Sequence, residues 1–385
     1  MSIDNSRKLW CFILSTLAAC VLGGGMRSLM PPWALAQPSR QDLPITGRAV
    51  HFGHVVNPGQ SRRVPAEGGP YVRAQIRLAD GVLVGDWGIE ILEIGGRTVQ
   101  HIDSGSLKSG IWTFQVWGPE LTVRVPNNGG RVLIEERLRL EAPLPVQNVI
   151  PPGSNPNFRW AISYPDPGVR EAARTVVQVR MMHGEEEKPC TGFILAPTLV
   201  MTNQHCVPTS EIARQGTVLV GYDSLNAAPR EILASVELVT SDIDLDYSVI
   251  RVAVPLLNRI PRMRWRISGP VAQERIVIVQ HPNGQPKQVA DDNDCYVSEA
   301  WTRGRSDKLV DFGHRCDTMD GSSGSLVLGL SDLHVVGIHH WGIRPGDEGG
   351  QNQGVRADEI LLHLQQNAHG NPRIEEVYNA IISEF

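Results

Sequence analysis

Short apolar runs, each cut off by glycine, proline, asparagine or aspartate, fill this sequence from Tyr71 to Trp341. That punctuation is the strongest constraint on the fold. With 38 glycines and 27 prolines, long helices are interrupted nearly everywhere. Many of the runs also alternate apolar and polar residues with a period of two, which a strand needs and a helix does not. The expectation is an all-β chain of short antiparallel strands. Hydrophobic residues make up 41% and charged residues 20%, so a buried core can form.

A length of 385 residues predicts two domains plus extras. Residues 43–145 hold the strand-like runs Tyr71–Leu78, Trp87–Ile94, Ile111–Gly118, Glu120–Val125 and Arg131–Leu140, with a turn at Asn127–Gly130. They predict a small β-sandwich, an accessory module or pro-domain. His51 and His54 there offer a metal pair, but two exposed loop histidines explain them more simply. Ala142–Phe158 is rich in Pro, Asn and Gly and reads as a linker, taken as residues 146–168. A second domain, 169–368, opens with a short helix running into a strand. Many short apolar strands follow, as in a closed antiparallel architecture, and Arg356–Ala368 adds a helix. Residues 369–385 form a helical tail.

The N-terminus reads as a targeting segment. Arg7 and Lys8 precede the apolar stretch Leu9–Gly25, and a small-x-small site ends at Ala36. The stretch is too short and glycine-broken to favour a membrane span. Cleavage over 1–36 gives a secreted or periplasmic protein without stable membrane insertion. A lipoprotein anchored through Cys20 and an uncleaved anchor are the alternatives. Losing Asp4, Arg7, Lys8 and Arg27 takes the formal charge from −5 to −7. A mildly acidic surface without Lys/Arg runs argues against nucleic acid as a partner. Four cysteines stay in the mature chain, Cys190, Cys206, Cys295 and Cys316, enough for two disulfides in an exported protein. Three pairings are open. No CxxC occurs, so no metal is expected, and no cofactor motif is present.

Three stretches carry chemistry. His205 ends an apolar run, Asp246 begins one, and Ser323 lies among Gly321, Ser322 and Gly324. Serine needs a base within reach, and the base needs an acceptor that fixes its tautomer. His and a buried Asp supply these roles. Small residues around a serine let a carbonyl approach and let backbone N–H groups converge. The chain order is His, Asp, Ser, at steps of 41 and 77 positions. That order excludes the simple α/β-hydrolase and subtilisin arrangements.

At these residues the sequence resembles the trypsin/chymotrypsin-like serine peptidases. Thr202-Asn203-Gln204-His205-Cys206 matches the motif around the base. Asp246-Tyr247-Ser248-Val249-Ile250 matches the acid motif, and Gly321-Ser322-Ser323-Gly324-Ser325 the nucleophile motif. The resemblance covers about Val169 to Ala368. It implies a double β-barrel of the trypsin/chymotrypsin type with a C-terminal helix. It also implies catalysis by His205, Asp246 and Ser323, with Asp244 and Asp242 as alternative acids. The Gly321 and Ser323 N–H groups become the oxyanion hole, and Cys190 pairs with Cys206 and Cys295 with Cys316. Ser322 stands where many animal members carry an aspartate used in zymogen activation, so that switch is not expected. "GSSGS" and His281–Lys287 are closer to the bacterial glutamyl-endopeptidase branch.

For specificity, the resemblance points two ways. Asp317 stands where trypsins bind Lys or Arg. Thr318 and His339 stand where the glutamyl branch holds an acidic side chain. For His339 and His340, the simple expectation is that one packs inward and the other faces solvent. The function expected is an exported serine endopeptidase acting on protein or peptide substrates, with acidic residues preferred. A Lys/Arg-specific peptidase and a non-catalytic peptidase-fold binding protein are the alternatives. Oligomeric state is not indicated.

Overall fold

The structure is a computed structural model that describes residues 46–83, 85–141, 157–224, 227–256, 261–291, 293–342 and 350–383. The expected targeting segment and residues 142–156 lie outside these. The described residues all fall within one compact unit. The fold is mostly β.

Six strands, Val176–His183, Glu186–Ala196, Leu199–Thr202, Thr217–Val220, Glu231–Asp242 and Tyr247–Val252, form a closed barrel. Closure comes from pairing of the first two strands, since the first also pairs with Thr217–Val220. Every residue of Leu199–Thr202 and Thr217–Val220 is buried, which is why these runs lack polar alternation. A second, open half-barrel of eight strands runs from Phe158–Trp160 to Val297–Arg303 in sheet order.

Residues 158–168, placed in the linker from sequence, contribute to this second sheet and its flank. Phe158–Trp160 pairs with Gln288–Ala290. Pro167 starts a helix that ends at Ala173, with the Asp166 side chain accepting from the Gly168 and Val169 N–H groups. Such a cap stabilises a helix start by about 1 kcal/mol. Proline density suggested a linker, but a proline at the first helical position is equally a start signal.

The N-terminal residues form a sandwich around their own core, including Ile76, Ile89, Leu121, Val123 and Ile134. One face is the sheet Ser61–Pro65, Glu120–Arg124, Gly88–Leu92 and Thr98–Asp103. The other face is continuous with the closed barrel, because Thr46–Val56 pairs with Val132–Glu141 on one side and at Gly47 and Arg48 with Glu187 and Glu186 on the other. His51 lies exposed and His54 half-buried on this strand, not in a loop. The run from Tyr71 to Leu78 divides at Arg73 into two strands in different sheets. Arg73 turns inward, 1% exposed, and donates to Glu187 Oε1 at 2.6 Å.

The largest core cluster joins both barrels and the helices Pro167–Ala173, Ala357–Ala368 and Pro372–Ile382. Phe193, Met201, Tyr247, Trp265, Leu326, Ile338, Leu364 and Ile381 belong to it. Each such apolar side chain contributes roughly 1.5–3 kcal/mol on burial. Among the described residues, no helix is long and apolar enough to cross a membrane.

Candidate active site

Strand register brings His205 and Asp246, the base and acid expected from sequence, together. Leu199–Thr202 and Tyr247–Val252 pair antiparallel with Thr202 opposite Ser248. His205 follows the first strand and Asp246 precedes the second, so both lie at the same end. The loop is then tied shut by short bonds. Gln204 N–H and the Asn203 side chain donate to the Asp246 carbonyl at 3.1 and 2.8 Å. His205 N–H donates to Asp246 Oδ1 at 2.9 Å, and His205 Nδ1 lies 2.8 Å from Oδ2. Asp246 has φ +43°, a left-handed conformation that costs a non-glycine residue about 1 kcal/mol or more. The surrounding bonds hold it there. Asp242 and Asp244 face elsewhere. Asp242 accepts from Leu245 N–H at 2.8 Å, and Asp244 pairs with Lys308.

Asp246 is fully buried. Burial alone would raise its carboxyl, but hydrogen bonds from His205 and His340 outweigh that and hold it well below the usual carboxylate range. Two donors come from the second sheet. Arg305 Nη1 reaches Oδ1 at 2.9 Å from the tip of the hairpin Val297–Arg303/Leu309–His314. His340 Nδ1 reaches Oδ2 at 3.0 Å. A charged acceptor at Nδ1 keeps the proton on that nitrogen and leaves the Nε2 lone pair of His205 free.

The disulfides join Cys190 to Cys206 and Cys295 to Cys316. The first encloses a loop of about 15 residues, worth about 3 kcal/mol in the loop-entropy account, and anchors the residue after His205. Cys190, His205 and Cys206 bring potential ligand atoms within 4.8 Å of one another, but both thiols are committed to the disulfide.

Ser323 lies two residues before the strand Ser325–Gly329. Its loop is shaped by two glycines. Gly321 has φ +86° and Gly324 φ +87°, and a Cβ on Gly324 would stand 2.1 Å from the Thr191 carbonyl oxygen. Thr191, next to Cys190, stitches the loop to the first barrel. Its N–H donates to the Ser323 carbonyl at 2.8 Å, and its hydroxyl donates to the Gly321 carbonyl at 2.8 Å. The same hydroxyl accepts from His281 N–H at 2.9 Å. Among the described residues, the Gly321 and Ser323 N–H groups donate to no other backbone group. The Ser323 hydroxyl and His205 are not hydrogen-bonded to each other; such contacts commonly tighten only when substrate binds. Both side chains are partly exposed.

The three residues expected from sequence to set specificity are all buried: Asp317 1%, Thr318 0% and His339 3% exposed. Asp317 Oδ2 accepts the Asn157 N–H at 2.7 Å. The Thr318 hydroxyl has no hydrogen-bond partner among the described residues. His339 pairs with Ser325 across the sheet. Its Nδ1 lies 3.1 Å from Nε2 of His314. Burial depresses both rings, His314 to about 3 and His339 well below the ordinary histidine value.

The expectation that one of His339 and His340 faces solvent is wrong. Both are buried, 3% and 5% exposed, because adjacent strand residues address opposite faces and both faces are covered. Residue-level reading also missed Thr191, Arg305 and Asp311. Their signal lies in tertiary register, not in sequence motifs.

Residues 190–338 match the family model described as trypsin-like peptidase domain. A secreted RxLR effector protein 73 of Plasmopara viticola is 30% identical over 184 residues, which are 44% of this chain and 46% of that protein. An uncharacterized protein y4fB of Sinorhizobium fredii is 28% identical over 211 residues, 47% of this chain and 30% of that one. The chain thus spans less than half the length of these relatives. Among solved structures, the inactive form of the Rv3671c protease, from M. tuberculosis, shows 20% identity and a TM-score of 0.42. That match covers 56% of this chain and 98% of the other. A Glu endopeptidase in complex with MPD shows 19% identity and a TM-score of 0.43, covering 57% and 98%.

Proposed function

We propose, from the premise that this chain carries a trypsin-like serine peptidase domain, that it is an exported endopeptidase with His205 as base, Asp246 as orienting acid and Ser323 as nucleophile. The observation that carries this reading is the His205 Nδ1 to Asp246 Oδ2 contact of 2.8 Å, with Nε2 left available to Ser323. As Ser323 Oγ attacks a substrate carbonyl, its proton passes to Nε2, and Asp246 stabilises the imidazolium. The carbonyl oxygen becomes an oxyanion, met by the Gly321 and Ser323 N–H groups; one such donor is typically worth 10²–10³ in rate. Nε2 then protonates the departing amine, leaving an acyl-enzyme on Ser323. Water, deprotonated by the same nitrogen, releases the acid and restores the serine.

An acidic side chain is the favoured residue before the cut. Thr318 offers a buried hydroxyl without a partner among the described residues, and His339 a ring bonded to His314. Asp317, the anchor for a basic side chain, is engaged by the Asn157 N–H. Two disulfides support export, as does the resemblance to a relative named as secreted. The sandwich acts as an attached module, and a cut anywhere in 142–156 leaves it held through Glu187.

Cleavage of a mixed peptide library by the mature chain, with Ser323→Ala as control, tests this. Cuts after Glu or Asp that vanish in the variant are expected. Cuts after Lys or Arg would move specificity to Asp317, and equal cutting by both proteins would overturn the reading.

A further inference from the structure

His340 is joined to two carboxylates at once. Its Nδ1 lies 3.0 Å from Asp246 Oδ2 and its Nε2 2.6 Å from Asp311 Oδ2. The side chains of all three are fully buried. A neutral imidazole carries a single N–H and can satisfy only one of these acceptors. The second carboxylate would then face a bare ring nitrogen among fully buried side chains, lone pair against lone pair. An imidazolium satisfies both, and each bond becomes charge-assisted. Burial disfavours the charged ring, yet the bonds to Asp246 and Asp311 raise it to about 9.

The arrangement links the strand Val335–Trp341 and the strand Leu309–His314 of the second sheet to the acid loop of the first barrel. Asp246 Oδ2 thereby receives His205 Nδ1 on one side and His340 Nδ1 on the other. Other ionisable groups face this cluster. Arg305 bonds Oδ1 of Asp246 from the hairpin tip. His314 and His339 stand nearby as buried rings with depressed values, and each is lowered further by His340.

We infer that His340, held as an imidazolium between Asp246 and Asp311, is a positioning residue that aligns Asp246 on His205 and balances the charge the base feels. This rests on the peptidase reading above. Asp246, His340 and Asp311 together carry one negative charge. Replacing His340 by Gln leaves two facing carboxylates and a charge of minus two. Replacing Asp311 by Asn leaves an imidazolium against one carboxylate and a charge of zero. A more negative surrounding favours protonation of the base, and a neutral one disfavours it.

The test is the pH dependence of Ser323 labelling by a fluorophosphonate reagent, read as a second-order rate, alongside kcat/KM on peptide. In His340→Gln the acidic limb moves up by about one pH unit, and in Asp311→Asn it moves down by a comparable amount. The double variant returns it close to the wild-type position. A tenfold or greater fall in rate accompanies each single change. A residue that merely fills space would lower the rates without opposed shifts. Limbs that stay in place, or that both move the same way, would overturn the inference. Should His340→Gln fail to fold, nitrogen-detected NMR of the unaltered protein at pH 7 decides instead. Both ring nitrogens of His340 protonated is the expected result, and one unprotonated nitrogen would overturn it. Wild-type protein that is not labelled at Ser323 would sink the peptidase reading itself, and this inference with it.

Discussion

The two barrels bury charge for different ends. In the first, Glu187 accepts from Arg73 at 2.6 Å, from Arg180 at 3.1 Å and from Tyr71 at 2.5 Å. Tyr71 and Arg73 come from the sandwich, so this network fastens one module to the other. Arg180 also donates to the Gly284 carbonyl at 3.2 Å, which extends the network toward the second sheet. In the second, the rings of His281, His314, His339 and His340 are buried, with His340 on Asp246 and His339 beside His314. The first set joins the two modules, and in the second His340, by the inference above, tunes how the site responds to protons. Buried ion pairs are weak stabilisers in total, yet breaking one by removing a single partner is costly. The first barrel should therefore lose stability when its network is cut, and the second should lose its pH behaviour.

The largest effect expected is on rate. Asp246→Asn removes the charged acceptor and lets the wrong tautomer of His205 form, which lowers kcat by about 10⁴-fold. Steady-state kinetics on a peptide substrate measures this, and a fall of under tenfold would show that Asp246 is not the orienting acid. Next comes Glu187→Gln, which leaves Arg73 and Arg180 without their anion. It destabilises by about 3–5 kcal/mol, while kcat below the melting transition stays within about twofold. Chemical denaturation gives the number, and a cost under about 1 kcal/mol would remove the contrast between the barrels.

The pH dependence of stability follows. Burial holds His281 and His314 down to about 3, below the ordinary value of about 6.5. The unfolded chain then binds more protons, so stability falls as pH drops from about 6.5 toward 3. His340 has the opposite sign. With its value raised to about 9, its contribution is full below about 6.5 and is lost as pH rises through 9. Melting temperature should peak near pH 6.5. His314→Gln should flatten the acid flank alone, and an unchanged acid flank would contradict the assignment. The smallest effect is Arg305→Ala. Its side chain is 35% exposed, so solvent screens the bond to Asp246, and kcat falls by about tenfold or less with KM unchanged.

Much of this was legible in the sequence, for a physical reason. Period-two runs and turn residues revealed the strands. The base, acid and nucleophile each stand beside local features that chemistry demands, such as the glycines at 321 and 324. What stayed hidden depends on partners distant in sequence. Glu231–Asp242 is only half buried and lacks a clean apolar run, so it did not announce a strand. Arg73 looked like one polar position in an alternating strand, but its partner is 114 residues away. His340 lies beside His339 in sequence, yet its role depends on Asp246 and Asp311, 94 and 29 residues distant. No local pattern encodes such a meeting.

The central claim is that Ser323 is a nucleophile activated by His205. Mass analysis after reaction of the mature chain with a fluorophosphonate tests it most directly, with Ser323→Ala and His205→Ala in parallel. The account predicts one stoichiometric adduct on Ser323, none in Ser323→Ala and labelling slowed by at least about 10³-fold in His205→Ala. Labelling of the wild type that persists in Ser323→Ala, or that is indifferent to His205, would contradict it.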